Sequence, residues 1–186
     1  MRIERVTEND AMELSEIYRP YVEKTAISFE HTAPSSEEFR GRIHSTLEAF
    51  PYIKAVSEDG KILGYCYAGK FRTRASYEWD AEVSIYVRED SRHTGVGSAL
   101  YQTMEKLLKK MGFLSIYAGV AAPREDDPFV PDTSFKFHKA MGFKLVGIYE
   151  KVGYKLGTWH DLAFFEKPLS ERCENPEHIH FGEWSL

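Results

Sequence analysis

The stretch that most limits the folds open to this chain runs from Glu82 to Val120. Glu82-Val83-Ser84-Ile85-Tyr86-Val87 is rich in β-branched and aromatic residues and reads as the end of a long strand. A polar loop follows. From Ser98 an amphipathic helix puts Leu100, Met104, Leu107, Leu108 and Met111 on one face, and Gly112 stands where a helix commonly ends. Leu114 to Val120 is β-rich again. A one-sided helix between two strands has to bury its apolar stripe against a sheet, which points to a layered α/β domain.

The remaining elements extend that alternation. Thr7 and Asp10 stand where a capped helix begins, with Leu14, Ile17, Tyr18 and Tyr21 at helical spacing and Pro20 expected to kink or shorten it. A second helix starts near Ser36, with Phe39, Ile43 and Leu47 four apart. Tyr52 to Ser57 and Lys61 to Gly69 read as strands joined by a hairpin at Glu58-Asp59-Gly60. Ser134 to Met141 is a short helix, and Phe143 to Val152 and His160 to Glu166 are the closing strands. No internal repeat or second domain is visible in the 186 residues. The expected fold class is α/β with a mixed sheet, a domain over residues 1–168, and a tail over 169–186 packed on the surface or at a subunit contact.

Composition narrows the partners. A net charge of −5 gives no reason to expect nucleic acid. The first residues lack the apolar core of a signal peptide, and no run reaches membrane-spanning length, so a cytoplasmic protein is expected. Cys66 and Cys173 are too few for a disulfide framework.

The sharpest local feature is Arg92-His93-Thr94-Gly95-Val96-Gly97, between the strand and the amphipathic helix. Glycines allow close backbone approach to a ligand, and a helix start offers unpaired N–H groups and partial positive charge to a phosphate. The plainer reading is a glycine turn that starts a helix. The segment is neither a Walker loop nor a complete Rossmann glycine pattern.

Val87, seven loop residues and then Gly95-Val96-Gly97 resemble the central motif of the GNAT acetyltransferases, Arg/Gln-x-x-Gly-x-Gly/Ala. Thr25-Ala26-Ile27-Ser28-Phe29-Glu30, Phe71-Arg72-Thr73-Arg74, Glu82 to Val87 and Gly153 to Asp161 resemble, in order, the phosphinothricin and methionine sulfoximine acetyltransferase branch, across roughly residues 2 to 168. The resemblance implies the acyl-CoA N-acyltransferase fold, with helices on both faces of a central mixed, splayed sheet. It implies acetyl-CoA as co-substrate, no metal, a small-molecule amine acceptor and a homodimer. It assigns coenzyme binding to Ile85, Tyr86, Val87, Arg92, His93, Thr94, Gly95, Val96, Gly97, Ser98 and Ser134. One departure stands out: Pro131-Asp132-Thr133-Ser134 lacks the branch's Asn, after an insertion around Pro123 to Pro131. Asp132 replaces that Asn only in part, because a carboxylate lacks amide donors.

Amide formation from a thioester needs a base for the acceptor's ammonium and a donor for the oxyanion. Glu82 matches the branch's base, against the alternative of an ion-paired surface glutamate. A strand amide near Val87, freed by a bulge, would serve the oxyanion. His138 stands where the branch has its acid, against the alternative of a structural histidine. Arg72 and Arg74, two apart on a strand end, would point to one side and clamp an anionic group, unless they are simply solvated. Phe29 and Glu30 resemble the acceptor-lining loop. Tyr154, Trp159 and His160 would close the pocket, form a subunit contact or sit in the core. Cys173, His178 and His180 match no zinc spacing. The function expected is N-acetylation of the α-amino group of phosphinothricin, methionine sulfoximine or methionine sulfone. The alternatives are another small amine, or a coenzyme-binding regulatory module without turnover.

Overall fold

The structure, a computed structural model, describes residues 1–186. In chain order it contains β1 (Arg2–Arg5), α1 (Ala11–Glu23), α2 (Ser36–Leu47), β2 (Tyr52–Val56), β3 (Ile62–Lys70), β4 (Asp80–Val87), α3 (Val96–Met111), β5 (Ser115–Ala122), α4 (Thr133–Ala140), β6 (Lys144–Lys155) and β7 (Thr158–Pro168). The strands form one seven-stranded sheet in the order β1-β2-β3-β4-β5-β7-β6. Every neighbouring pair is antiparallel except β4–β5, which is parallel.

That parallel pair is short. It joins only Asp80 to Ser115, Ala81 to Ile116 and Glu82 to Tyr117. On its other side β4 stays paired with β3 through Gly64↔Val87. From Val83 onward, β4 therefore has a partner on one edge only, and the sheet is splayed as the resemblance implied.

Strand alternation sends successive side chains to opposite faces, and each face has its own core. Val83 and Ala81 pack with Leu100, Met104 and Leu108 of α3. The other face sets Tyr65 and Tyr52 against Leu14, Ile17 and Tyr18 of α1 and Phe39 and Ile43 of α2. Gly112 closes α3 at φ +102°, as expected, and Ser35, just ahead of the expected start, caps α2 by accepting from Glu38 N–H.

Several boundaries differ from the sequence reading. Pro20 does not stop α1, which continues to Glu23; the proline falls in the last turn, where few hydrogen bonds remain to be lost. Strand β1 carries too short a pattern to be read from sequence and exists by pairing with β2. Strand β6 is longer than expected and has a bulge between Tyr149 and Gly153, where Lys151 takes φ +50° and donates its N–H to the Asp161 carboxylate at 2.7 Å. The tail after residue 168 is more than a surface strip. Ile179 and Trp184 enter the main core, and backbone bonds from His180 to Met111 and from Gly182 to Ala49 pin it down.

Trp184 is 8% exposed and lies beneath the Arg5 guanidinium, 4.4 Å from its ring centroid. Truncating it empties a core site shared by the tail and β1. Trp184→Ala is expected to lower stability by about 3 kcal/mol, the lower end for a large aromatic because its indole N–H is unpartnered. Urea unfolding followed by circular dichroism checks the value.

Candidate active site

The open edge of β4, the start of α3 and the start of α4 enclose a groove of about 730 Å3. Gly95 enters α3 in the left-handed region at φ +88°, which a residue with a Cβ resists. Gly97 follows, and a Cβ there would stand 3.1 Å from the Phe137 ring. The glycines thus expose backbone N–H groups at the positive end of a 16-residue helix. Of the residues assigned to the coenzyme, Ile85, Val87, Arg92, His93, Gly95, Gly97, Ser98 and Ser134 line this groove. Asp132 and Lys136 line it too, held together at 2.6 Å. The site of the missing Asn is therefore occupied by a neutralised carboxylate.

Three assigned residues do not line the groove. Tyr86 projects to the opposite face, 4.7 Å from Tyr18 and 5.1 Å from Tyr21 between ring centroids. Val96 is buried in the main core. The Thr94 hydroxyl donates to the Ser91 carbonyl at 2.7 Å.

The oxyanion donor arises differently from the expectation. No bulge interrupts the β3–β4 register. Arg88 N–H points to the Leu63 carbonyl of β3, so by alternation the Ile85 and Val87 N–H groups face the gap. Val87 N–H is already donated to the Tyr21 hydroxyl at 3.2 Å, and that hydroxyl donates back to the Val87 carbonyl at 2.5 Å. Ile85 N–H is left as the strand donor in the splay.

His138 is 3% exposed and does not line the groove. Its Nε2 lies 2.7 Å from the Tyr101 hydroxyl and its Nδ1 2.8 Å from the Ser134 carbonyl, within a cage of Phe137, Phe143 and Phe165. Burial pushes its pKa down to about 4. The structural role prevails over the acid role, because a neutral, enclosed imidazole has no proton to deliver at neutral pH.

Glu82 stands at the vertex of the splay, the last β4 residue paired with β5. Burial raises its pKa, and the positive charge of nearby Arg72 lowers it. Its carboxylate has no ion-pair partner. Gly119 leaves it room, since a Cβ there would lie 3.6 Å from Oε1. Arg72 and Arg74 sit in the loop after β3, not on a strand end, so spacing does not bring them to one side. Arg72 lies over the Phe71 ring at 4.3 Å, and its guanidinium donates to the Phe71 carbonyl at 2.7 Å. Arg74 is exposed and makes no side-chain bond.

Phe29 packs against Gly153, where any Cβ would fall 2.5 Å from its ring. Glu30 is gripped by Arg42 at 2.7 and 3.0 Å, which lowers its pKa, and accepts from Tyr18 at 3.0 Å. The insertion at 123–131 folds back onto this loop. Ala26 N–H bonds to the Phe129 carbonyl, and the Asp127 carboxylate meets buried His160 at 2.5 Å. His160 reaches the Lys155 carbonyl, and Lys155 Nζ donates to Ser28 O at 2.6 Å. Tyr154 and Trp159 are exposed, in edge contact. His178 and His180 pair with Glu78 and Glu183, and no metal-holding group of three His, Cys, Asp or Glu occurs. Tyr21, Arg42 and Asp127 were not recognisable as site residues in the sequence. Tyr21 only continued an apolar helix repeat, and the other two pair with residues distant in the chain.

Residues 3–164 match the family described as acetyltransferase (GNAT) domain. The chain is 33% identical over 165 residues to the phosphinothricin N-acetyltransferase of Streptomyces coelicolor, covering 87% of this chain and 92% of that one. It is 29% identical over 129 residues to the L-methionine sulfoximine/L-methionine sulfone acetyltransferase of Pseudomonas aeruginosa, covering 69% and 71%. The crystal structure of a GNAT superfamily phosphinothricin acetyltransferase from Sinorhizobium meliloti in complex with acetyl-CoA superposes with a TM-score of 0.86 at 30% identity, covering 98% and 97%. The chain belongs to the GNAT acetyltransferase family and is an acetyl-CoA-dependent N-acetyltransferase.

Two outcomes test the groove and its neighbour. Gly97→Asp puts bulk and negative charge beside the anion-binding helix start and should weaken acetyl-CoA binding by about tenfold or more in a folded protein; calorimetric titration at wild-type affinity would count against the assignment. His138 has a folded pKa below its ordinary 6.5, so its stabilising effect is full above 6.5 and disappears as pH falls to about 4. Wild type should lose about 3 kcal/mol from this residue across that window, and His138→Gln should lose the slope. Urea midpoints measured across the window decide it.

Proposed function

We propose that this GNAT enzyme acetylates the α-amino group of a small amino-acid-like acceptor of the phosphinothricin, methionine sulfoximine or methionine sulfone class, with Glu82 as the base. The observation that carries the reading is the place of Glu82: an unpaired, partly buried carboxylate at the vertex where the sheet opens. The similarity to phosphinothricin and methionine sulfone acetyltransferases supports the acceptor class.

The groove suits acetyl-CoA because its backbone edge is free, its glycines permit close approach, and Arg92 supplies a cation. The coenzyme supplies the acetyl thioester. Ile85, Val87 and residues 92–98 hold it, with Ser134 on the opposite wall. Glu82 takes a proton from the acceptor's ammonium, directly or through water, leaving a lone pair on nitrogen. As the new C–N bond forms and the C–S bond breaks, Ile85 N–H donates to the carbonyl oxygen, and the second proton lost by the acylated nitrogen passes through water to the departing thiolate, which leaves as the free thiol of coenzyme A. Arg72, whose charge is felt at Glu82, holds the acceptor's anionic group near it. Phe29 and Glu30 wall the acceptor side. His138 positions α4 and does not protonate the leaving sulfur.

A homodimer fits the outer strand β6, which exposes Leu145, Val146, Ile148, Tyr149, Val152 and Tyr154. Dependence on acetyl-CoA favours work in the cytoplasm, and no helix is long and apolar enough to cross a membrane.

Glu82→Gln keeps the shape and removes proton acceptance. Turnover at neutral pH should fall by about 10²–10⁴-fold while acetyl-CoA affinity holds. A base must be ionised, so the raised pKa of Glu82 places the acid limb of the wild-type turnover profile above the ordinary glutamate range. Arg72 lowers that pKa, so Arg72→Met should move the limb to still higher pH. Coenzyme release at saturating acceptor reads both, and a limb unmoved by Arg72→Met with full turnover in Glu82→Gln sinks the assignment.

A further inference from the structure

The segment at 123–131 joins β5 to α4, and its centre is buried although connecting segments usually run over the surface. Asp127 Oδ1 accepts from Phe129 N–H at 3.0 Å, and Oδ2 lies 2.5 Å from Nδ1 of the buried His160. On its far side the imidazole meets the Lys155 carbonyl through Nε2 at 2.9 Å. The two-residue turn Leu156-Gly157, both at positive φ, joins β6 to β7 and fixes that carbonyl. A carbonyl only accepts, so Nε2 carries a proton, and one more proton lies between Nδ1 and the Asp127 carboxyl. Apolar side chains would close the same loop at less cost in desolvation, so the polar pair calls for a reason. Neither residue lines the groove, and the mechanism above uses neither.

The chain of bonds ends on the loop before α2. Lys155 is buried, and its Nζ has a single hydrogen-bond partner, the Ser28 carbonyl at 2.6 Å. Burial lowers the pKa of this amine, and the charge of Glu30 raises it. From the other side, the Phe129 carbonyl accepts Ala26 N–H at 3.0 Å. Ala26, Ala121 and Val130 form a small core of their own, with Phe29 and Phe129 packed against it. Residues 26–30 have no helix or strand to hold them. They are held between the 123–131 segment and the β6–β7 turn instead.

The position of this loop gives the clamp its reason. Ile27 lines the coenzyme groove. Ala121, under Ala26, follows Gly119 on the same face of β5, roughly 7 Å along the strand. Gly119 is the residue that leaves room for the Glu82 carboxylate. The loop therefore runs from the groove towards the base. A binding loop held in its bound arrangement beforehand gains affinity, because little ordering remains to be done when the ligand arrives.

We infer that Asp127, His160 and Lys155 are positioning residues that hold residues 26–30 ready for the acceptor, so that the 123–131 segment tunes acceptor affinity without touching the acceptor. The inference rests on the reading that Phe29 and Glu30 wall the acceptor side.

The test is coenzyme release by the full chain with methionine sulfone and with phosphinothricin, well below the unfolding midpoint of each variant. Asp127→Ala removes both contacts of the carboxylate and should raise the acceptor KM about tenfold, with kcat and the acetyl-CoA KM within about threefold. Asp127→Asn should restore the acceptor KM to within about threefold of wild type, because its Oδ1 still accepts from Phe129 N–H and its Nδ2 donates to Nδ1, while Nε2–H keeps the Lys155 carbonyl. Lys155→Met keeps the apolar stem and loses the bond to Ser28, and it should raise the acceptor KM about tenfold as well. It leaves the buried pair intact, so it decides the matter even if Asp127→Ala does not fold. If the variants that fold keep the wild-type acceptor KM and only lower the unfolding midpoint, the clamp is purely structural and the inference is overturned. Equal losses of kcat in Asp127→Asn and Asp127→Ala would make Asp127 a proton-transfer group and overturn it too. A wild type that acetylates neither acceptor overturns the acceptor reading, and this inference with it.

Discussion

Everything the site does depends on the β4–β5 pairing stopping after three residues. A strand that loses its neighbour inside a protein leaves N–H and C=O groups that need partners. Here the deficit is only partly covered. Tyr21 reaches in from α1 and satisfies both polar groups of Val87, which fixes where the opening ends. Between Glu82 and Val87 the edge is left for an incoming chain to pair with. The same divergence puts a carboxylate at the vertex with space around it. The open backbone edge and the placement of the Glu82 carboxylate are thus one geometric event.

The arrangement also explains what the neighbouring segments are for. A splayed sheet is weak at its opening, and the loops around it are tied across long sequence distances. The insertion at 123–131 is fastened through Asp127 to His160, and the Lys155 that follows in that chain of bonds holds the acceptor loop at Ser28. Arg124 adds bonds to Asp161 and to the Trp159 carbonyl. These contacts tie the loop before α2 and the 123–131 segment to β6 and β7.

Much of this was legible in the sequence, and for identifiable reasons. The apolar stripe of α3, the glycines at its start and the strand before it are local signals, and they fixed the groove's position. Glu82 was legible because it matches the base of the branch the sequence resembles. What escaped notice was long-range. Tyr21 looks like any apolar helix residue until the splay brings it to Val87, 66 residues away. Arg72 and Arg74 looked equivalent by spacing, but their segment leaves the strand and only the charge of Arg72 is felt at Glu82. The burial of His138 depends on rings from α3 and β7 that no helix periodicity reveals. Trp184 lay in a tail whose composition resembles a surface segment, although its indole completes the core.

The sheet acts as a partition between two sets of side chains. The groove gathers around α3 and α4, while a cluster of tyrosines lies beneath α1 and α2. Inheritance can therefore treat the two halves separately. A lineage can rewrite α2 and the loop before it while the groove side passes on unaltered. Strand β4 is the exception, since Glu82 and Ser84 face one compartment and Val83 and Ile85 the other, so a change there is felt on both sides at once.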